Sequence, residues 1–91
     1  MEFEWDEAKS EANYQLRGLD FGYATLVFRD PFRLDWPDDR REYGERRRQA
    51  IGAIEGLTYF VAYTRRRNRI RIISARRAEL DEDRAYRQGT T

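Results

Sequence analysis

Hydrophobic and polar positions change period twice along the chain. Glu2-Phe3-Glu4-Trp5 alternates and predicts a short edge strand. Asp6 offers an N-cap side chain, and Glu7 puts negative charge into the first helical turn. Ala8, Ala12 and Leu16 follow at i, i+4 and i+8, a narrow apolar stripe for a helix closed by Gly18. Asp20 caps a second predicted helix with Phe21, Ala24, Val27 and Phe28 on one side. Asp30-Pro31 ends it, because the residue before a proline is pushed out of the helical region.

Beyond Pro31 the period becomes two. Phe32 to Trp36 alternates, and Pro37-Asp38-Asp39 breaks the run. Arg46 to Gly52 reads as the next strand and Glu55-Gly56 as a hairpin turn. Leu57 to Thr64, aromatic and β-branched on both sides, has the composition of a central strand. Arg65-Arg66-Arg67-Asn68 turns the chain into Arg69 to Ala75. The last helix spans Leu80 to Gln88, with Asp81, Glu82 and Asp83 in its first turn and Arg84 and Arg87 near its end, the order a helix dipole favours. Strand, helix, helix, four strands, helix predicts an α+β fold: an antiparallel sheet of four to five strands, with two N-terminal helices and one C-terminal helix on one face.

Ninety-one residues without linker, repeat or low-complexity tract read as one domain, residues 1–91. At this length only about 60–65% of the unfolded chain's surface can be buried, so modest stability is expected. There are no cysteines, no run of apolar residues long enough to span a bilayer and no basic-then-apolar leader; a soluble, cytoplasmic protein with no membrane partner is expected.

The net charge of +1 conceals segregation. Residues 1–39 set four basic groups against ten acidic ones, residues 40–77 twelve arginines against three glutamates, and residues 78–91 two arginines against four acids. The basic middle has the profile of a phosphate-binding surface, and equally of solvated strand faces. Lys9 is the only lysine beside seventeen arginines.

Without histidine or cysteine, histidine-based acid–base catalysis, catalytic triads and His/Cys zinc sites are excluded. Asp35, Asp38 and Asp39 could suggest a magnesium site, but beside Pro37 they are the residues a turn selects. No cofactor is expected. By period two, Ile70, Ile72, Ser74 and Arg76 share one face of the last strand, and Arg69, Arg71, Ile73 and Ala75 the other. Arg76 then emerges at the strand's end beside the helix carrying Glu82 and Tyr86 at i and i+4. Two readings fit: a metal-free RNA-cleaving group, in which Arg76 stabilises the phosphorane while Glu82 and Tyr86 move protons, or an Arg76–Glu82 ion pair with Tyr86 packed on the sheet.

Three stretches resemble the BrnT toxin family: Phe3-Glu4-Trp5-Asp6-x-x-Lys9-x-x-x-Asn13 followed by Gly18 and Phe21; Glu45-x-Arg47-x-x-x-Ile51-Gly52; and Arg71-Ile72-Ile73-Ser74-Ala75-Arg76-Arg77-Ala78-x-x-x-Glu82-x-x-x-Tyr86. The resemblance implies a fold related to the RelE ribonuclease toxins and RNA cleavage that halts translation. It also implies neutralisation by BrnA, a ribbon-helix-helix antitoxin through which alone the toxin meets operator DNA. It places Arg47, Arg76, Glu82 and Tyr86 on the active surface and Lys9 at an N-terminal basic position. With Lys9, we expect Arg17, Arg69 and Arg71 to hold RNA. Family members often carry Asn-x-x-Lys-His-Gly where this chain reads Asn13-Tyr14-Gln15-Leu16-Arg17-Gly18, so Arg17 stands in place of a histidine. Arginine can bind phosphate but keeps its proton near neutral pH. A catalytically silent, antitoxin-binding co-repressor is therefore the alternative. A plain RNA-binding module, built on Tyr59, Phe60 and Tyr63, is a weaker third reading, because those aromatics alternate between faces.

Overall fold

A computed structural model describes residues 1–40 and 42–89. The elements follow the expected order: β1 (Glu2–Glu4), α1 (Glu7–Arg17), α2 (Phe21–Ala24) running into a 3₁₀ turn (Thr25–Arg29), β2 (Leu34–Pro37), β3 (Arg47–Ile54), β4 (Leu57–Arg66), β5 (Arg69–Arg77) and α3 (Leu80–Gly89). Both early caps form. Asp6 accepts from the Lys9 amide at 3.1 Å, and Gly18 adopts φ 71° while its amide donates to the Tyr14 carbonyl. No described helix is long and apolar enough to cross a membrane.

The five strands lie in the order β1-β5-β4-β3-β2. The sheet is mixed rather than antiparallel, because β1 pairs parallel to β5, Phe3 opposite Ile70. Three alternating residues carry no information about direction. Nearly the whole chain separates β1 from β5, ample length for the crossover a parallel pair needs.

Even-numbered β3 residues and odd-numbered β4 residues point to one face. There Ala50, Ile54, Tyr59, Val61, Tyr63, Ile70, Ile72 and Ala75 form a core with Leu19, Phe21, Ala24, Val27 and Phe28. Phe28 packs edge-on against Tyr63, centroids 4.9 Å apart. Gly52 marks the closest approach: a Cβ there would sit 2.7 Å from Val27 Cγ1 and 3.0 Å from the Val27 carbonyl oxygen.

Two expectations fail on the helices. The Ala8–Ala12–Leu16 stripe of α1 faces solvent, Leu16 being 77% exposed. The inward face carries Ser10 and Asn13, whose polar groups are satisfied by the next segment: the Phe21 amide donates to Ser10 Oγ at 2.9 Å, and Asn13 donates to the Leu19 carbonyl at 2.7 Å. The helices also do not share one face. α3 packs on the opposite side of the sheet, where Asp83 accepts from Thr58 and Glu82 binds Arg76. Thr58 alternates with the core residue Tyr59, so the two point to opposite faces.

A bulge in β5 overturns the expected phase. Ala62 pairs with Ser74 but Tyr63 with Ile72, leaving Ile73 as an extra residue. Ile70, Ile72 and Ala75 consequently face the core, while Arg69, Arg71, Ser74 and Arg76 share the second face.

Candidate functional site

The second face carries most of the residues singled out from sequence, and β4 sets their spacing. Arg71 on β5 and Arg47 on β3 both stand opposite Thr64, whereas Arg76 stands opposite Phe60. Four residues along β4 separate the two groups, roughly 13 Å at the usual strand rise. Two clusters result, too far apart to act on one phosphate.

At the far end, the Arg76 guanidinium lies 4.2 Å above the Phe60 ring. It donates to both Glu82 oxygens, at 2.7 and 2.9 Å, and to the Arg77 carbonyl at 3.1 Å, with Glu79 at 3.5 Å. Glu82 also accepts from the Glu79 amide at 2.8 Å, a helix-capping contact that fixes the start of α3. The bond from Arg76 holds the Glu82 carboxyl below the usual range, and the bond to Glu82 raises Arg76. Tyr86 does not join this pair. Its phenol is buried and donates to Asp30; burial first, and that hydrogen bond second, push it up to about 12. Burial disfavours the Asp30 carboxylate, but bonds from Tyr86 and from the Ala53 and Phe32 amides outweigh it and leave Asp30 below its ordinary value.

At the near end, a cleft of about 180 Å³ is lined by Lys9, Arg47, Arg66 and Arg71 together with Asp6 and Glu45. The N-cap of α1 brings Lys9 there, and the strand ends bring the arginines. Arg71 is held by Glu4 at 2.7 Å and Arg66 by Glu45 at 3.1 Å. The bond from Arg66 is the main reason the Glu45 carboxyl is lowered. Of the three arginines Arg47 is the most loosely held: its guanidinium lies 4.2 Å over the Tyr43 ring, Glu45 comes only within 3.5 Å, and its buried Nε has no acceptor in hydrogen-bond geometry. Four cations against Asp6, Glu45 and the Glu4 that holds Arg71 leave one positive charge in excess, which suits an anionic ligand.

Arg69 lies at the exposed β4–β5 end, 3.7 Å from Glu2. Arg17 is exposed in the last turn of α1 and does not line the cleft. Asp35 accepts from Arg48 at 2.7 Å and from the Tyr63 hydroxyl, and Asp38 from Arg40 and Tyr43, so both brace the strand ends and the turn. The roles of Tyr43 and Asp30, and of Phe60 as a platform for Arg76, are not foreseen from sequence. Nothing in the local sequence marks them, since each acts on a partner distant in the chain or on another element.

Residues 5–82 match the profile of a toxin class, described as the ribonuclease toxin BrnT of type II toxin–antitoxin systems. The match covers most of the chain and takes in Lys9, Arg47, Arg71, Arg76 and Glu82. The chain belongs to the BrnT family, and so to the ribonuclease toxins that pair with an antitoxin. No individual curated protein matches it.

Proposed function

We propose that the whole chain is one toxin domain, RelE-like in fold, that cleaves cytoplasmic RNA without a metal and so stops translation. Its partner is a BrnA-like ribbon-helix-helix antitoxin, through which alone it meets operator DNA. The observation that carries the reading is the convergence of Lys9, Arg47 and Arg71, distant in sequence, on one cleft in which Arg47 is held only by the Tyr43 ring and by Glu45 at 3.5 Å. In the cleft a ribose 2′-oxygen attacks the adjacent phosphorus and its proton passes to water. The bond from phosphorus to the 5′-oxygen breaks and that oxygen takes a proton from water, leaving a 2′,3′-cyclic phosphate and a 5′-hydroxyl. Charge builds on the non-bridging oxygens, where Arg47 donates and Lys9 and Arg71 add positive potential. Arg76, with its donors largely taken by Glu82, contacts RNA at the far end of the face and Glu82 positions it. Tyr86 holds α3 in place.

The test is induction in a host lacking the antitoxin: growth arrest with degraded RNA is expected, relieved by co-expression of the BrnA-like protein. Free growth with intact RNA would favour a second reading, a non-catalytic antitoxin-binding co-repressor. One observation supports that alternative. The chain has no histidine, and Glu82 and Tyr86 are shifted away from neutrality in opposite directions, leaving neither suited to proton transfer at neutral pH.

A further inference from the structure

The β4–β5 hairpin breaks two local rules at its tip. Arg66 and Arg69 stand directly opposite each other, a like-charge cross-strand pair that disfavours the hairpin. Arg67, in the turn itself, adopts φ 58°, a left-handed conformation that Gly or Asn reaches at lower cost. Glu55 in the β3–β4 turn shares the left-handed conformation, at φ 52°, so the like-charge pair is the feature particular to this hairpin. Local conflicts of this kind concentrate at functional positions.

The charges there are also poorly neutralised. Arg66 shares Glu45, and Arg69 has only the exposed Glu2 at 3.7 Å. Arg67 is exposed and has no ion pair among the described residues, whereas Arg65 lines a different pocket beside Asp35 and Asp38. A groove of about 630 Å³ is lined by Arg66, Arg67, Asn68 and Arg69 with Glu2 and Glu4, three cations against two carboxylates, and Arg66 also lines the cleft holding Arg47. The basic surface is therefore continuous from the cleft to the hairpin tip.

We propose that this tip is a distal subsite for the RNA backbone, in which Arg67 and Arg69 contact phosphates beyond the scissile one. It deepens the ribonuclease reading and rests on it, because the strand that enters the cleft is the strand the tip would hold. The contacts are to phosphate, so they carry no base preference and depend strongly on salt. Their worth grows with substrate length: a substrate of two or three nucleotides ends before it reaches the tip.

The experiment measures binding by fluorescence anisotropy over a series of salt concentrations. The probe is a 2′-O-methyl RNA of about a dozen nucleotides, which lacks the nucleophile and cannot be cleaved. Each lost contact to a single strand lowers the slope of log affinity against log salt by about 0.7, so Arg67→Gln/Arg69→Gln should lower it by about 1.4. Arg67→Lys/Arg69→Lys should keep the wild-type slope, because a phosphate contact of this type needs only a point charge. Binding of a 2′-O-methyl trinucleotide should be the same in all three proteins. A slope unchanged in the glutamine variant, with the wild type binding the long probe, would overturn the distal subsite and leave the ribonuclease reading intact. Equal losses on trinucleotide and long probe would also overturn it, placing both arginines in the cleft. Failure of the wild type to bind either probe would overturn the ribonuclease reading, and the subsite with it.

Discussion

Glu82 grips Arg76 through both carboxylate oxygens, at 2.7 and 2.9 Å, and caps α3 with the same group. Arg76 is 29% exposed and Glu82 19%, so the pair is partly shielded from solvent. It ties the end of β5 to the helix that covers the second face.

A pH dependence follows from that pair. The Glu82 carboxyl is held below its ordinary 4.5 in the folded state by the bond from Arg76. A depressed folded value means stability present above pH 4.5 and lost as pH falls through the lower folded value. Glu82→Gln should therefore be less stable than wild type near neutrality, with the gap closing as pH falls below the ordinary value. Melting temperatures of both proteins across the acid range check this, and a gap that stays constant would show that the ion pair contributes nothing.

Tyr86→Phe removes the donor to Asp30 but leaves the ring in place. A hydrogen bond to a charged group is typically worth about 1.5–3 kcal/mol, of which the two remaining amide donors recover part, so a loss of about 1.5 kcal/mol is expected. In a domain of this size that lowers the melting temperature by roughly 6–12 °C. The wild type should also lose stability as pH rises from 10 towards 12, because the unfolded phenol ionises first and the folded one holds its proton. RNA cleavage by Tyr86→Phe at matched folded concentration should equal that of wild type; a cleavage rate down by orders of magnitude would make Tyr86 catalytic.

Gly52→Ala tests the seam between the 3₁₀ turn and the sheet. The new methyl would collide with Val27 Cγ1 at 2.7 Å and the Val27 carbonyl at 3.0 Å, and the backbone atom cannot rotate away. Overpacking of this kind costs about 3 kcal/mol, a large share of a small domain's stability. Gly52→Ala with a wild-type melting curve would mean that the 3₁₀ turn is not seated against β3.

Much of this arrangement is legible in the residues themselves, and what is not has physical reasons. Phe21, Ala24, Val27 and Phe28 announce their buried side through helical spacing, although the segment tightens to a 3₁₀ turn halfway along. Arg76 and Glu82 are near in sequence, and a strand end followed by a helix start brings them together. The bulge at Ile73 leaves no mark in composition, yet it decides which face Arg76 occupies. The inward face of α1 is hidden in the sequence because Ser10 and Asn13 look like surface residues until their partners, Phe21 and Leu19, are in place. The Tyr86–Asp30 bond spans 56 residues, and no local period reports it.

The most direct test of the central claim is the rate of RNA cleavage by antitoxin-free protein in excess EDTA, compared among wild type, Arg47→Ala and Arg76→Ala. The wild type should remain active and leave a 2′,3′-cyclic phosphate. Arg47→Ala should lose roughly 10²–10³ in rate, the usual worth of one oxyanion donor, with a stability cost of only about 1 kcal/mol from its contact with Tyr43. Arg76→Ala should lose less rate and more melting temperature, because Glu82 is left without its partner. Cleavage that vanishes in EDTA and returns with magnesium, or an Arg47→Ala protein that cuts RNA as fast as the wild type, would contradict the account.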